Sequence, residues 1–270
     1  GVNDAPALKR SDVGVAMGLR GSDVSREVAD VVLLDDNFAT IVAAIEEGRS
    51  IYENIQKFIR FLFSANLALV LLVIGGAVGS FVLGLQEAGG GLLLPLTAIQ
   101  LLWLNVITNG PPAIALGLDR NYGVMERGPR DPRAPLLDRP SLRFVVIAGV
   151  AQALIGGVLL WRLPHYGYHD TAVRSALFLY ACNAQLLFAY PARRVNVAPL
   201  SNTALHLAVL LGAGLQALVL FVPSLRAMLG LALPDGLVVV WLAVTVLLGW
   251  LTAEVTSWVI RSTERGASAS

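Results

Sequence analysis

Two groups of residues in this 270-residue chain have side chains and spacing suited to chemistry. The first is Asn3-Asp4, within the string Gly1-Val2-Asn3-Asp4-Ala5-Pro6-Ala7-Leu8. An amide and a carboxylate presented side by side on a turn suit Mg²⁺ and phosphate, because Mg²⁺ keeps several waters and takes only one or two protein carboxylates. Phosphoryl transfer in turn asks for positioning and charge neutralisation more than for covalent help. Asn and Asp also make ordinary turns, so the residues beyond must decide between the two readings. The second group is Asn105, Thr108 and Asn109, followed by Gly110-Pro111-Pro112. Spacing of three and four puts the three polar residues on one face of a helix. Two prolines remove two backbone donors and predict unwinding just beyond them. Unwound backbone at bilayer depth survives only where it lines a cavity or is buried in protein, so an ion pathway is expected here. Asn66, at comparable depth in the preceding apolar run, adds a further neutral oxygen. The plainer alternative is that these amides hydrogen-bond between helices.

The elements that must position these groups divide the chain. Residues 1–49 read as an α/β remnant, and residues 50–270 as a stalk and a bundle of membrane helices. Hydrophobic residues make up 56% of the chain and charged residues 14%, with a mean hydropathy of +0.67. Soluble domains carry about a quarter charged residues, so a mainly α membrane protein in contact with the lipid bilayer is expected. Nothing in the sequence points to nucleic acid. The single Cys182 excludes an internal disulfide framework, and no secretory leader precedes the apolar stretches.

In the first part, Val13–Met17 and Val31–Leu34 read as buried strands flanking a short helix from Ser22 to Ala29. Asp35-Asp36-Asn37 predicts the cap of a helix from Phe38 to Glu47, with a break at Gly48. Two strands cannot make a core of their own, which predicts a larger sheet of which this is one end. From Ser50 a second helix is expected, with Ile51, Ile55, Ile59 and Leu62 as its apolar stripe. Polar Tyr52, Glu53, Gln56, Lys57 and Arg60 take its other faces.

Six membrane spans follow, at about 58–83, 92–118, 144–163, 171–190, 203–222 and 237–260, each long enough for a hydrocarbon core of about 30 Å. The turn at Gly89-Gly90-Gly91 falls outside the membrane. Arg120, Arg127, Arg130, Arg133, Arg139, Arg143, Arg193, Arg194, Arg261 and Arg265 lie in segments on one side, against Arg162, Arg174 and Arg226 on the other. That bias predicts both ends in the cytoplasm; the membrane expected is the plasma membrane. Gln152, Gln185, Gln216 and Thr245 read as packing contacts. Gln100 stands at the edge of the polar group, Glu254 pairs with Arg261, and the tryptophans anchor interfaces. The Pro-rich basic stretch Gly128–Pro135 reads as a coupling loop.

The string GVNDAPAL resembles the end of a signature of P-type cation-transporting ATPases, TGDGVNDAPAL. Three further stretches match in the family's order: ALKRSDVGVAMG from Ala7, LLDDNFATIVAAIEEGRSIYENIQKFIRF from Leu33, and LLWLNVITNGPPAIALG from Leu101. The resemblance covers nearly the whole chain and weakens by residue 200. It implies a C-terminal fragment of a pump, running from the end of a HAD-like phosphorylation domain through the last six membrane helices. Asn3 and Asp4 then complete the cradle around Mg²⁺ and phosphate, with Asp4 near the metal. Asn66, Asn105, Thr108 and Asn109 belong to the transported cation. ATP is the substrate of the whole pump, and the phosphorylated aspartate and nucleotide domain fall in its missing N-terminal part, so the fragment alone is expected to be inactive. The resemblance also implies a departure: where calcium pumps carry carboxylates, this chain has Leu69, Asn109 and Tyr180. That favours one ion per cycle, with Ca²⁺ and a monovalent cation both open. A catalytically inert membrane module that binds partners, and a pump-like enzyme moving lipid or polyamine, are the competing readings.

Overall fold

The computed structural model describes residues 1–83, 94–126, 128–131, 133–193 and 201–269. The Gly89–Gly91 turn, Arg127, Arg194 and the first two residues of the expected 92–118 span lie outside the described residues, as does the side chain of Arg265. The chain forms two compact units. The first joins Gly1–Tyr52 with Gly123–Pro129, and the second joins Glu53–Tyr122 with Arg130–Ser270.

In the first unit a turn of 3₁₀-helix, Val2–Asp4, leads into α1 (Ala5–Arg10). Strands β1 (Val15–Met17) and β2 (Val31–Leu33) pair in parallel, Val15 opposite Val31, and α2 (Asp23–Val28) lies between them in sequence. Parallel strands need such a crossover because a hairpin turn cannot join them. Ala16 and Leu33 are the buried strand side chains. Ser22 caps α2, its Oγ accepting from the Ser25 amide at 3.2 Å. Asp30 accepts from the Gly14 amide at 2.8 Å and so holds the start of β1.

The residues after β2 are fixed by carboxylates. Asp36 sits at φ +52, a left-handed conformation that Asp tolerates better than most residues. Its carboxylate accepts from the amides of Leu19 and Arg20, both at 2.8 Å. Desolvation pushes the Asp36 carboxyl up, but these amide hydrogen bonds outweigh it and the group lies below the usual range. Asp35 is lowered by the Thr40 hydroxyl at 2.6 Å and by the Asn37 amide. Asn37 accepts from the Ala39 amide at 3.0 Å. Together these caps start α3 (Phe38–Leu83).

Two expectations are corrected along α3. No break falls at Gly48: the helix runs its 46 residues without interruption. An interior glycine costs about 1 kcal/mol relative to alanine yet keeps its N–H, so it weakens a helix without ending it. Nor is the Ile51/Ile55 stripe the buried face. Both isoleucines are exposed, while Asn54, Lys57, Phe61, Ser64, Ala65, Ala68 and Leu72 are buried at spacings of three and four. Polar residues point inward here because polar partners meet them, as described below.

Among the described residues five helices are long and apolar enough to cross a membrane: α3, whose residues from Glu53 on fall in the second unit, and α6 (Arg139–His165), α7 (Asp170–Arg193), α8 (Thr203–Phe221) and α10 (Gly236–Ala269) within that unit. The expected span at 92–118 is instead three pieces: α4 (Ala98–Trp103), a π-helical turn (Leu104–Thr108) and α5 (Gly110–Gly117). A short α9 (Pro223–Met228) precedes α10. The most buried helix is α7. Tyr180, Phe178, Leu177 and Cys182 sit in its core beside Leu72 of α3 and Leu159 of α6, while Phe61, Phe144 and Phe188 fill a second apolar cluster.

Candidate functional site

Asn3 and Asp4 lie in the opening 3₁₀ turn and both are exposed. Asp4 accepts from the N-terminal ammonium of Gly1 at 2.6 Å, and the Ser25 hydroxyl donates to the Gly1 carbonyl at 3.2 Å. Among the described residues no cluster of three or more His, Cys, Asp or Glu could hold a metal ion by itself.

The broken segment is more elaborate. Thr97 opens α4 with a capping box, its hydroxyl accepting from Gln100 N at 3.3 Å while Gln100 Oε1 accepts from Thr97 N at 3.0 Å. Gln100 Nε2 reaches the Leu229 carbonyl at 2.9 Å, so this side chain serves the helix start and its neighbour. At Leu104 the helix widens to a π-turn, closed by Asn109 N on the Leu104 carbonyl at 3.0 Å. A new helix then starts at Gly110 with Pro111 and Pro112 in its first turn. The break thus falls at Asn109, ahead of the prolines and not beyond them. The physical reason is that first-turn N–H groups have no intrahelical partner, so proline there costs nothing.

The π-turn also redistributes the polar residues. Rotation per residue is smaller in the wider turn, so positions three apart no longer stack as in an α-helix. Thr108 and Asn109 are buried, at 0% and 1% exposure, whereas Asn105 and Asn66 are exposed. Thr108 Oγ1 accepts from Gln216 Nε2 at 3.2 Å and donates to Cys182 Sγ at 3.7 Å. Gln216, expected only to pack, therefore ties α8 to the break. Neither amide atom of Asn109 has a hydrogen-bond partner among the described residues. Tyr180 donates to the Gln152 carbonyl at 2.7 Å. Glu254 and Arg261 do pair, at 3.6 Å.

A buried ionic cluster holds the far end of α5, and nothing in the sequence reading singled it out. Asp119, two residues past the helix, accepts from Arg193 through both carboxylate oxygens at 2.7 and 2.8 Å, and from Lys57 Nζ at 2.6 Å. Asn202 Nδ2 donates to the same carboxylate at 3.0 Å and to the Ala115 carbonyl at 3.0 Å. Asn54 Nδ2 donates to the carbonyls of Gly117 at 3.1 Å and Asp119 at 2.7 Å. Asn121 donates to Asn54 Oδ1 at 2.8 Å. These amides satisfy carbonyls that the end of any helix leaves unpaired. Burial pushes the Asp119 carboxyl up, but the Arg193 and Lys57 hydrogen bonds more than reverse this and hold it below the usual range. The signal available beforehand was Asp119 itself, a lone acid directly after an apolar span.

This geometry defines the class: the chain belongs to an integral membrane protein built on apolar helices, with one further apolar segment broken around buried polar residues. Residues 93–259 match the profile described as "Cation transporting ATPase, C-terminus", well over half of the chain. The chain belongs to the cation-transporting ATPase family. It is 40% identical over 237 residues to the "Calcium-transporting ATPase" of Bacillus subtilis strain 168, which covers 84% of this chain and 25% of that protein. Over 164 residues it is 44% identical to the "Calcium-transporting ATPase 2, endoplasmic reticulum-type" of Arabidopsis thaliana, covering 60% of this chain and 14% of that one. It is also 42% identical over 195 residues to a "Probable calcium-transporting ATPase" of Trypanosoma brucei brucei, covering 71% of this chain and 18% of that protein. The chain thus spans at most about a quarter of the length of these relatives.

Proposed function

We propose that the chain is the C-terminal part of an ATP-driven P-type pump, that it carries part of the membrane path of the transported cation, and that this cation is Ca²⁺. The observation that carries the reading is Asn109: an amide at 1% exposure, at a helix break in a membrane segment, with neither polar atom partnered among the described residues. A buried amide left unpaired is costly, and a ligand taking its oxygen would offset that. Asn66 and Asn105 support the same path. Polar amides exposed on membrane helices are unfavourable against lipid, so other segments of the longer protein are expected to cover them and complete the ligand set. Relatives named as calcium-transporting support Ca²⁺ over a monovalent ion. The lack of carboxylates at Leu69 and Tyr180 favours a single ion per cycle.

At the other unit, the exposed Asp4 with Asn3 suits a shared Mg²⁺–phosphate site, the remaining donors coming from outside this chain. Mg²⁺ bound there would neutralise charge on the transferred phosphoryl group. Asn3 and Asp4 would orient the phosphate and the metal's waters. Residues 123–129 group with this unit, and Arg49 donates to the Val124 carbonyl at 3.1 Å, which supports a coupling role for the loop after α5. Both ends of the chain are read as cytoplasmic from the arginine bias.

The test is Ca²⁺-stimulated ATP hydrolysis by the full-length protein carrying Asn105→Ala or Asn109→Ala. The Ca²⁺ concentration for half-maximal activity should rise about tenfold or more, as expected for loss of one well-placed ligand. An unchanged cation dependence in both variants refutes the cation path.

A further inference from the structure

The Asp119 cluster is more elaborate than anchoring a loop requires. One carboxylate gathers Lys57 of α3, Arg193 at the end of α7 and Asn202 at the start of α8, while Asn54 of α3 takes the backbone carbonyl of the same residue. Every one of these side chains is buried. The grip on the end of α5 comes from two sides: its carbonyls at Ala115 and Gly117 are taken by Asn202 and Asn54, and the Asp119 carbonyl beyond it by Asn54 again. The α5 helix has only eight residues. Its last residue is therefore about two helical turns from Asn109, which caps its first turn. A helix this short is as rigid as its ends, and the π-turn at its N-terminal end is the softer of the two.

We propose that Asp119 is a positioning residue for the cation path: clamped by Lys57 and Arg193, it fixes the far end of α5 and thereby the placement of Asn109 beside Thr108. The inference rests on the reading of Asn109 as part of that path. The clamp acts on binding rather than on chemistry. When it is loosened, α5 pivots about the π-turn, Asn109 samples several placements, and the apparent cation affinity falls by the fraction of time the competent one is lost. Maximal turnover at saturating cation is then little changed.

The experiment uses the full-length protein with Asp119→Asn and, separately, Asn54→Ala. The second variant frees the Gly117 and Asp119 carbonyls without unbalancing the buried charges, so it decides the matter if Asp119→Asn fails to fold. Ca²⁺-activated ATP hydrolysis is measured against Ca²⁺ concentration, and phosphorylation by inorganic phosphate without Ca²⁺ reports on the intact phosphate site. The expected result is a half-maximal Ca²⁺ concentration raised at least fivefold in each variant that folds, with less than twofold loss of maximal rate and normal phosphorylation by phosphate. A lowered melting temperature or maximal rate with unchanged Ca²⁺ dependence would make the cluster a structural lock only and overturn the proposal. Asn109→Ala separates the two levels. If it leaves Ca²⁺ dependence unchanged, the cation-path reading itself fails; if it shifts that dependence while Asp119→Asn and Asn54→Ala do not, only the positioning role fails.

Discussion

Gly156 on α6 lies where α3, α6 and α7 meet, and Gly156→Ala measures how closely they pack. A methyl group there would stand 2.7 Å from Tyr180 Cε1, 3.1 Å from its Cδ1 and 3.0 Å from Leu72 Cδ1. The ring cannot swing aside freely, because its hydroxyl donates to the Gln152 carbonyl at 2.7 Å and the side chain is 2% exposed. Either that hydrogen bond stretches or α6 and α7 part. Overpacking a tight site costs about 1–3 kcal/mol. A hydrogen bond between membrane helices contributes about 0.6–1.7 kcal/mol. Alanine recovers at most about 1 kcal/mol through helix propensity. The net expectation is a loss of about 1–3 kcal/mol. Gly157 supplies the control, since a methyl there meets nothing within 4 Å and Gly157→Ala should be neutral or slightly stabilising. The assay is thermal unfolding of the full-length protein in detergent, read from the loss of the monodisperse species. In a Tyr180→Leu background most of the Gly156→Ala penalty should vanish, as coupled neighbours require. Equal melting temperatures for Gly156→Ala and Gly157→Ala would refute the packing argument.

Asn202→Ala should cost about 2 kcal/mol, because it removes the α8 cap on the Leu205 amide and the donor to Asp119 and Ala115 together. Asn202→Ser keeps a capping oxygen for the Leu205 amide and loses the reach to Asp119 and Ala115, so its melting temperature should fall between those of wild type and Asn202→Ala; a value at or below that of Asn202→Ala would count against the cap. The pH dependence of the Asp119 cluster follows from its lowered carboxyl. A group whose folded-state pKa is depressed stabilises the fold above its unfolded value, about 3.9 for Asp, and loses that contribution as pH falls through the folded value. The gap in melting temperature between wild type and Asp119→Asn should therefore hold constant from pH 8 to pH 5 and narrow only below about pH 4. Narrowing between pH 7 and pH 5 would contradict the charge state assigned to Asp119.

The sequence revealed most where a single local rule acts. The short helix that follows Ser22, the Asp35–Asn37 start of α3 and the apolar length of α6, α8 and α10 follow from nearest neighbours and composition, and the structure has them. It was misleading where long-range partners decide. Gly48 reads as a break because propensity is local, whereas α3 is carried through it by its flanks. Lys57 reads as lying away from the packed face because polar residues usually do, and only Asp119, more than sixty residues away in sequence, makes burying it favourable. The polar trio at the break was visible as a set of residue types. Its distribution was not, since no rule of spacing foretells a π-turn at Leu104–Thr108 that buries Thr108 and Asn109 and leaves Asn105 outside.

The enclosure of α7 has a consequence for how the protein is made. Its most apolar stretch has a mean hydropathy of 1.3, against 2.1 to 2.3 for the other four long helices, and it is the most buried of them. A helix walled by protein needs little grease of its own, so it is the poorest candidate to leave the translocon for lipid unaided. Its lasting residence in the bilayer therefore depends on α6, synthesised just before it, and on α10, synthesised after it, closing over it. Lesions in α10 should then surface first as a biogenesis defect, with newly made chains cleared before they reach the folded state.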